Sequence, residues 1–587
     1  MNTGEDNGDD VYSRVIELSK RRGFLYPSFE IYGGVAGFWD YGPLGTALKQ
    51  NVLDSWRDSY VRREGFDEID TPTIGIQDVF EASGHLDGFA DVLAQCRDCG
   101  TFYRADHLVE DYTGIENADG YSPDKLEDVI SENRINCPSC GEPMSEPVVK
   151  DFNLMFETNV GPGSSRPGFL RPETAQGIFV DFQRLKRYFR GKLPFGVSQT
   201  GTSYRNEINP RKGVVRLREF RQAEVEYFKK PEQDIERFDE VRDIDLKLYP
   251  VEEQEKPGGD ELSMTAGEAV EEGVIESKTI AYFVARSKEW YESIGIDPDR
   301  LRFRQHLPEE RAHYASDCWD GETLTDRFGW IEVNGVADRG SYDLEQHAES
   351  SGEDLSVFEE YDEAVESEEV VVEPDMSVLG PEFKGKAGEV ADALRHLGES
   401  DPDAFEGNVV EVEVDGETIE VDADVAGFER RTVKESGERV VPQVIEPSYG
   451  VDRIVYSVIE HSFDSDEIEG EGRQVLRFEP EVAPVAVSVF PLVSKDGLDE
   501  KAREIEERLR GDGLRVEYDD SGAIGRRYRR QDEAGTPFTV TVDYETLEDG
   551  SVTVRDRDTT DQVRVDVDEL VNVVRDLREG VVDLDGV

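Results

Sequence analysis

The stretch from Phe195 to Phe228 constrains this chain more than any other, because two facing strands fix which side chains share a face. "FGVSQTGTSYRNEI" and "VVRLREFRQAEVEYF" both read as extended, and "NPRKG" between them supplies the turn residues Asn209, Pro210 and Gly213. Side chains alternate along a strand, so Arg216, Arg218, Phe220, Gln222 and Glu224 would point one way if no bulge intervenes. On the first strand Arg205 and Glu207 share a face. Arg205, Arg211, Lys212, Arg216, Arg218 and Arg221 fall within seventeen positions, in a chain with 132 Asp and Glu against 66 Lys and Arg and a net charge of −66. An aromatic ring, guanidinium forks and a more distant carboxylate on one face suit a nucleotide, its phosphates and a cationic co-ligand. A solvated hairpin with cross-strand charge pairs is the other reading of the arginines alone.

The excess of acid is spread over nearly every segment. It suits solubility in a salt-rich cytoplasm, where the Debye length falls to ~3 Å at molar salt, and an acidic protein of ordinary cytoplasm is the alternative. The 37% hydrophobic residues and 54 glycines argue against wholesale disorder. No run of apolar residues is long enough for a membrane span, and "MNTGEDNGDD" has no secretory pattern. With five cysteines in 587 residues a disulfide framework is not expected, so the chain is read as soluble and cytoplasmic.

The length allows roughly four domains. Leu48, Val52, Trp56 and Tyr60 recur every four residues, one stripe of an amphipathic helix that stops at Gly65. Residues 231–300 read as mostly helical and peripheral, and the segments around "SDCWD" and "GWIEVNG" as strand-rich core, with Cys318 a core residue. An acidic α/β insertion is expected at 345–440. After a boundary near 480 the tail reads as strand, helix and a hairpin whose turn is Asp549-Gly550.

Cys96-Arg-Asp-Cys99 and Cys137-Pro-Ser-Cys140 are two C-x-x-C knuckles. Two such pairs can close a tetrahedral structural zinc site, and Gly100 and Gly141 help the chain turn beneath the metal. The interval 100–136 is longer than the usual spacing, and buried free thiols are the alternative.

The strand–loop–strand segment resembles motif 2 of class II aminoacyl-tRNA synthetases. "RPETAQG" (171–177), "RNEI" with "PR" and Gly213, "LREFRQAEVEYF" (217–228), "EPSYGVDR" (446–453) and "DDSGAIGRRYRRQDEAGTPF" (519–538) resemble the glycine-specific family within that class. The resemblance implies an α+β fold: an antiparallel sheet flanked by helices, an inserted zinc-knuckle region, a peripheral α/β insertion and a C-terminal α/β anticodon-binding domain. The expected division is 1–95 with motif 1, 96–150 knuckles, 151–344 with motif 2, 345–440 insertion, 441–479 with motif 3, and 480–587 anticodon binding. It also implies ATP with Mg2+, glycine and tRNA(Gly) as partners, and a homodimer built on motif 1, the helix at 45–64 with Pro72.

Carried over by position, Arg205 contacts the ATP α-phosphate and the glycine carboxylate, and Phe220 stacks on adenine. Arg453 takes the other face of the base or the γ-phosphate. Glu207 and Arg216 hold the triphosphate, Glu332 helps bind magnesium, and Asn206, Leu217, Val333 and Gly450 complete the ATP site. Arg205, Glu207 and Arg453 form the catalytic set. Glu173, Glu224, Glu446, Pro447 and Ser448 surround glycine, with Arg97 a further residue near substrate. Arg526, Arg527, Arg529 and Arg530 match the tRNA-binding region, salt bridges to Asp519, Asp520 and Asp532 being the alternative. The implied activity is ligation of glycine to the 3′ end of tRNA through glycyl-adenylate. A synthetase-like nucleic-acid-binding protein without catalysis, and a synthetase for another small amino acid, are the rivals.

Overall fold

The computed structural model describes residues 11–587 apart from 116, 117, 119, 120, 145, 146, 163–165, 209, 211, 212, 309, 312–314 and 469. Asn209, Arg211 and Lys212 of the basic segment therefore lie outside the described residues.

Nine strands make the central sheet: β1 (Asp67–Glu68), β2 (Phe195–Tyr204), β3 (Glu219–Lys229), β4 (Asp245–Tyr249), β5 (Leu262–Thr265), β6 (Leu301–Gln305), β7 (Asp317–Thr325), β8 (Gly329–Gly340) and β9 (Gln443–Gly450). Their order is β5-β4-β6-β7-β8-β9-β3-β2-β1, antiparallel except where β1 meets β2 and β4 meets β6.

Alternation along β3 separates the two faces of the sheet. Ala223, Val225 and Tyr227 join the main core, shared with helices α1 (Val11–Arg22), α2 (Pro43–Arg57), α3 (Lys278–Ser293) and α4 (Val451–Ser462). Gln222, Glu224 and Glu226 have the opposite parity and are buried polar groups. One face is thus a hydrophobic base, and the other carries charge.

The stripe Leu48, Val52, Trp56 and Tyr60 is buried in that core. Pro43 opens α2 at its first position, where its missing N–H costs nothing. A π-helical turn, Asp58–Arg63, carries Tyr60, and Gly65 at φ +74° ends the run. Residues 231–300 differ from the helical, peripheral reading. They include two strands at the sheet edge, and α3 buries Ile280, Tyr282, Phe283, Val284 and Tyr291. Its apolar residues nearly encircle the helix, which marks a core helix rather than a surface one.

The knuckle region has its own three-stranded sheet, Phe102–Arg104, Ala90–Gln95 and Val148–Asn153, and a small core with Tyr103, Leu108, Val109, Leu126 and Ile130. Residues 356–441 form a separate compact unit. Within it Val357–Val372 pairs with Phe428–Val440, and helix Ala387–Ser400 buries Val390, Ala391 and Leu394 with the hairpin valines Val410, Val412 and Val421.

The tail has β10 (Val487–Pro491), α5 (Leu498–Gly511), β11 (Val516–Tyr518), α6 (Ile524–Ala534), β12 (Phe538–Val542), β13 (Ser551–Asp556), β14 (Gln562–Asp566) and α7 (Leu570–Arg578), with strand order β11-β10-β12-β13-β14. Strands β12 and β13 are antiparallel, but a helix, Tyr544–Asp549, replaces the expected tight turn. Asp543 and Thr546 form a capping box at its start, and Gly550 at φ +76° ends it. Among the described residues no helix is long and apolar enough to cross a membrane.

Candidate active site

Strands β2 and β3 pair from Phe195↔Phe228 to Tyr204↔Glu219. Residues 205–218 are therefore a connection with a 3-10 turn at Gly213–Val215, and strand alternation does not govern Arg216 and Arg218. Phe220, Gln222 and Glu224 keep the expected row on β3.

A pocket opens over this row. Arg205, Glu207, Arg216, Leu217 and Phe220 line it from the connection and β3, Glu332 and Val333 from β8, Ser448 and Gly450 from β9, and Arg453 from α4. The Arg205 guanidinium lies 5.3 Å from the Phe220 ring centroid, and its Nε donates to the Pro172 carbonyl at 3.4 Å. Arg216 Nε donates to Glu207 Oε2 at 2.5 Å. Asp91 meets Arg216 at 3.5 Å and Arg104 at 3.2 Å. Arg453 Nη1 donates to Glu332 Oε2 and to its carbonyl, each at 2.9 Å, while Nε donates to the Val215 carbonyl at 2.9 Å. These contacts fix the guanidiniums before any anion arrives, which is the condition for strong electrostatic stabilisation. The Asn206 amide donates to the Leu154 carbonyl at 2.7 Å and anchors the loop.

Arg218 departs from the expected row. It donates to the carbonyls of Ala36 at 2.6 Å and Glu207 at 2.8 Å, so it ties two loops together instead of lining the pocket. A Cβ on Gly37, at φ +79°, would lie 2.6 Å from Pro210, so this close approach requires glycine.

Beside the pocket lies a ring of carboxylates. Glu224 is paired across the sheet with Ser448, and Ser448 Oγ donates to Glu224 Oε1 at 2.6 Å. The Thr174 amide donates to Glu224 Oε2 at 2.8 Å, and Gln222 Nε2 to Oε1 at 2.8 Å. Glu446 accepts from Arg339, whose Nη2 also reaches Glu173 at 3.5 Å. Asp343 holds Arg339 through Nε at 2.8 Å and Nη2 at 2.9 Å. Pro447 sits between Glu446 and Ser448 on β9, opposite Val336.

Glu173, Glu224 and Glu446 are each under 10% exposed, at 7%, 1% and 6%. Burial, then repulsion by Glu224 and Glu173 against the pull of Arg339, pushes Glu446 up to about 8. Glu224 is raised by burial and by Glu173. Burial also raises Glu173, but His85 and Arg339 outweigh it and hold that carboxyl well below its usual range. Such a ring is short of positive charge, and a small ammonium would supply it.

The four knuckle cysteines converge. Cys96 Sγ is 3.8 Å from Cys140 Sγ, Cys99 Sγ is 3.6 Å from Cys137 Sγ, and all four sulfurs lie within 4.8 Å of one another. Tetrahedral zinc with bonds of ~2.3 Å needs sulfurs about 3.8 Å apart, so the donor set fits that metal. The Gly100 and Gly141 amides close the two turns onto the Cys96 and Cys137 carbonyls at 2.9 and 2.8 Å.

Two further expected groups lie outside this pocket. Arg97 is exposed on the first knuckle turn and does not line the pocket; Arg104 instead reaches it through Asp91. In the tail, Arg527 is 3% exposed and donates to the carbonyls of Pro491, Asp520 and Gly522 at 2.5, 3.1 and 2.8 Å. Arg530 pairs with Asp519, Nε donating at 2.8 Å, and Arg529 lies 3.6 Å from Asp532. Arg526 is exposed. The first two turns of α6 thus direct three of these arginines back onto their own domain.

Sequence reasoning missed Arg339, Asp343, His85, Thr174 and Gln176. Gln176 Nε2 bridges Glu173 at 3.0 Å and Asp343 at 2.9 Å. Arg339 and Asp343 are four apart, a spacing that brings opposite charges together across a helix start. Thr174 and Gln176 sit inside "RPETAQG" and were legible there as polar groups beside Glu173.

A family model described as "tRNA synthetase class II core domain (G, H, P, S and T)" matches residues 164–249, and one described as "Anticodon binding domain" matches residues 486–577. Proteins named glycine–tRNA ligase are similar along nearly the whole chain. That of Methanothrix thermoacetophila is 53% identical over 97% of this chain and 98% of its own length. Those of Methanocaldococcus jannaschii and Methanothermobacter thermautotrophicus are each 49% identical over 97% of this chain and 99% of their own length. At about half identity over nearly the full length of such relatives, and with both family models matched, this chain belongs to the glycine–tRNA ligase family of class II synthetases.

Proposed function

We propose that the chain ligates glycine to the 3′ end of tRNA(Gly) in two steps, using ATP and passing through glycyl-adenylate. The observation that carries this reading is the adjacency, at Ser448, of the arginine-lined pocket and the buried carboxylate ring. Adenine stacks on Phe220, with Arg453 opposite, and Leu217, Val333 and Gly450 close around the nucleotide. The Arg216–Glu207 pair holds the triphosphate, and Arg205 faces the α-phosphate. The glycine carboxylate attacks the α-phosphorus in line, and the bond to pyrophosphate breaks. Charge grows on oxygens that Arg205 faces, so the barrier falls by positioning and electrostatics without a protein nucleophile. Magnesium, carried with ATP and held at Glu332, would offset further phosphate charge. In the second step the terminal ribose hydroxyl attacks the adenylate carbonyl carbon and AMP leaves.

Glu173, Glu224 and Glu446 hold the glycine ammonium, and Ser448 and Pro447 limit the space for a side chain. Larger amino acids are excluded by volume, and no smaller one exists to require editing. The four knuckle thiolates would hold a structural zinc. Residues 1–95, 151–344 and 441–479 carry the catalytic domain, 96–150 the knuckles and 480–587 the tRNA anticodon contact, with 345–440 an insertion. A homodimer would use the outer side of α2, since its apolar stripe is already buried. The chain's acid suits a salt-rich cytoplasm. No observation favours a non-catalytic relative: Arg205, Glu332 and Arg453 line one pocket, and Glu224 and Glu446 lie beside it.

The test is charging of tRNA(Gly) by purified protein in molar KCl with labelled glycine, alanine or serine. Glycine alone should be esterified. Equal charging with alanine would remove the specificity assignment.

A further inference from the structure

Outside the glycine and ATP groups, one cluster on the charged face of the sheet has a use that the reaction leaves open. His306 follows β6, and Cys318 and Asp320 have the same parity on β7. His306 Nε2 lies 2.7 Å from Asp320 Oδ2, and Cys318 Sγ lies 3.7 Å from Asp320 Oδ1. One donor atom from each of the three falls within 4.8 Å of the others. Nδ1 of His306 is buried without a partner among the described residues, so the ring is positioned by its Asp320 contact.

The sheet register places this cluster beside the substrate groups. Asp320 pairs with Gly335, Gly335 with Ser448, and Ser448 with Glu224, a single row across β7, β8, β9 and β3. Cys318 pairs with Ala337, which pairs with Glu446. Paired residues project to the same face, so the cluster lies two strand spacings, about 10 Å, from the ammonium ring. Gly335 leaves the space between them open: a Cβ there would lie 3.3 Å from Asp320 Oδ1 and 3.8 Å from Cys318 Sγ.

We propose that His306, Cys318 and Asp320 form a second metal site, for a borderline divalent cation of the Zn2+ type. A thiolate, an imidazole and a carboxylate are the donors that such cations take together, whereas Mg2+ and Ca2+ prefer oxygen alone. Binding would displace the Cys318 thiol proton and the proton shared by His306 and Asp320. Three protein donors leave a fourth position for water or an anionic oxygen, at the strip over Gly335. This differs from the knuckles, where four thiolates fill the coordination sphere.

The experiment counts zinc per chain by elemental analysis after dialysis in metal-free molar KCl, with zinc replaced by cobalt in a parallel sample. Wild type should hold two ions, and Cys318→Ser and His306→Ala one each. The wild-type minus Cys318→Ser cobalt spectrum should carry a single-thiolate charge-transfer band. One ion in wild type, or a second ion retained in both variants as an adventitious guest of surface carboxylates, overturns the site. His306→Ala removes a partly exposed ring, so it tests the site should Cys318→Ser fail to fold. Should both fail, alkylation of Cys318 in wild type decides, because zinc should slow it at least tenfold and no protection would overturn the proposal.

Discussion

The arginines at 205–221 and those at 526–530 look alike in sequence, each a basic cluster in a chain of net charge −66, yet the fold directs them oppositely. In the first, Arg205, Arg216 and Arg221 line a cavity, joined there by Arg453; Arg205 is held by one carbonyl, Arg216 by Glu207 and Asp91, and Arg453 by Glu332 and the Val215 carbonyl. In the second, Arg527 is consumed by three backbone carbonyls and Arg530 by Asp519 and the Ser521 carbonyl. A guanidinium has five donors, and the number left facing open space decides whether it can serve a ligand. Composition does not register that number.

The sharpest break of this comparison is Arg205→Ala. Adenylate formation should fall by about 10³-fold, as for loss of a preorganised donor to developing charge, with the melting temperature unchanged. Arg527→Ala should do the reverse. Leaving three inward carbonyls without a donor should cost about 3 kcal/mol of stability, read by denaturant unfolding, with pyrophosphate exchange per folded molecule unchanged. Phe220→Ala should raise the ATP KM by roughly tenfold through lost stacking, a change of about 1.4 kcal/mol.

The carboxylate ring sharpens the comparison by pH. Glu446 sits near 8 without ligand, and an ammonium beside it would lower that value, so glycine binding releases a proton below pH 8. The glycine KM should therefore fall as pH rises, by at most tenfold per unit, and level off above 8. Glu446→Gln should weaken binding and flatten that slope, and a wild-type profile flat from pH 6 to 9 would contradict the assignment. The smallest effect belongs to Arg526→Ala, where the exposed guanidinium should change the tRNA KM only two- to threefold, and less as salt rises, by about one phosphate contact.

How far the sequence carried these conclusions depends on the kind of information each needed. The row Phe220, Gln222, Glu224 was legible because strand period is local. Arg218 was misread because the period was extended past Glu219, where the strand begins and a 3-10 turn has already broken the alternation. The Asp549-Gly550 turn was expected from a dipeptide signal, but the capping pair Asp543 and Thr546 made a helix before it. Arg339 stayed hidden because its partners Glu173 and Glu446 are brought to it only by the sheet and by the helix start at Tyr342. The four cysteines were legible because each pair is local and two such pairs make one tetrahedral donor set, and their sulfurs converge as that spacing implies.

Glycine-stimulated exchange of labelled pyrophosphate into ATP, measured in molar KCl, tests the central claim most directly, that the basic connection is an ATP cradle which activates glycine. Wild type and Arg526→Ala should exchange alike when glycine is present, and Arg205→Ala, still folded, should lose about 10³-fold. Folded wild type that shows no glycine-dependent exchange, or Arg205→Ala that exchanges at the wild-type rate, would contradict it.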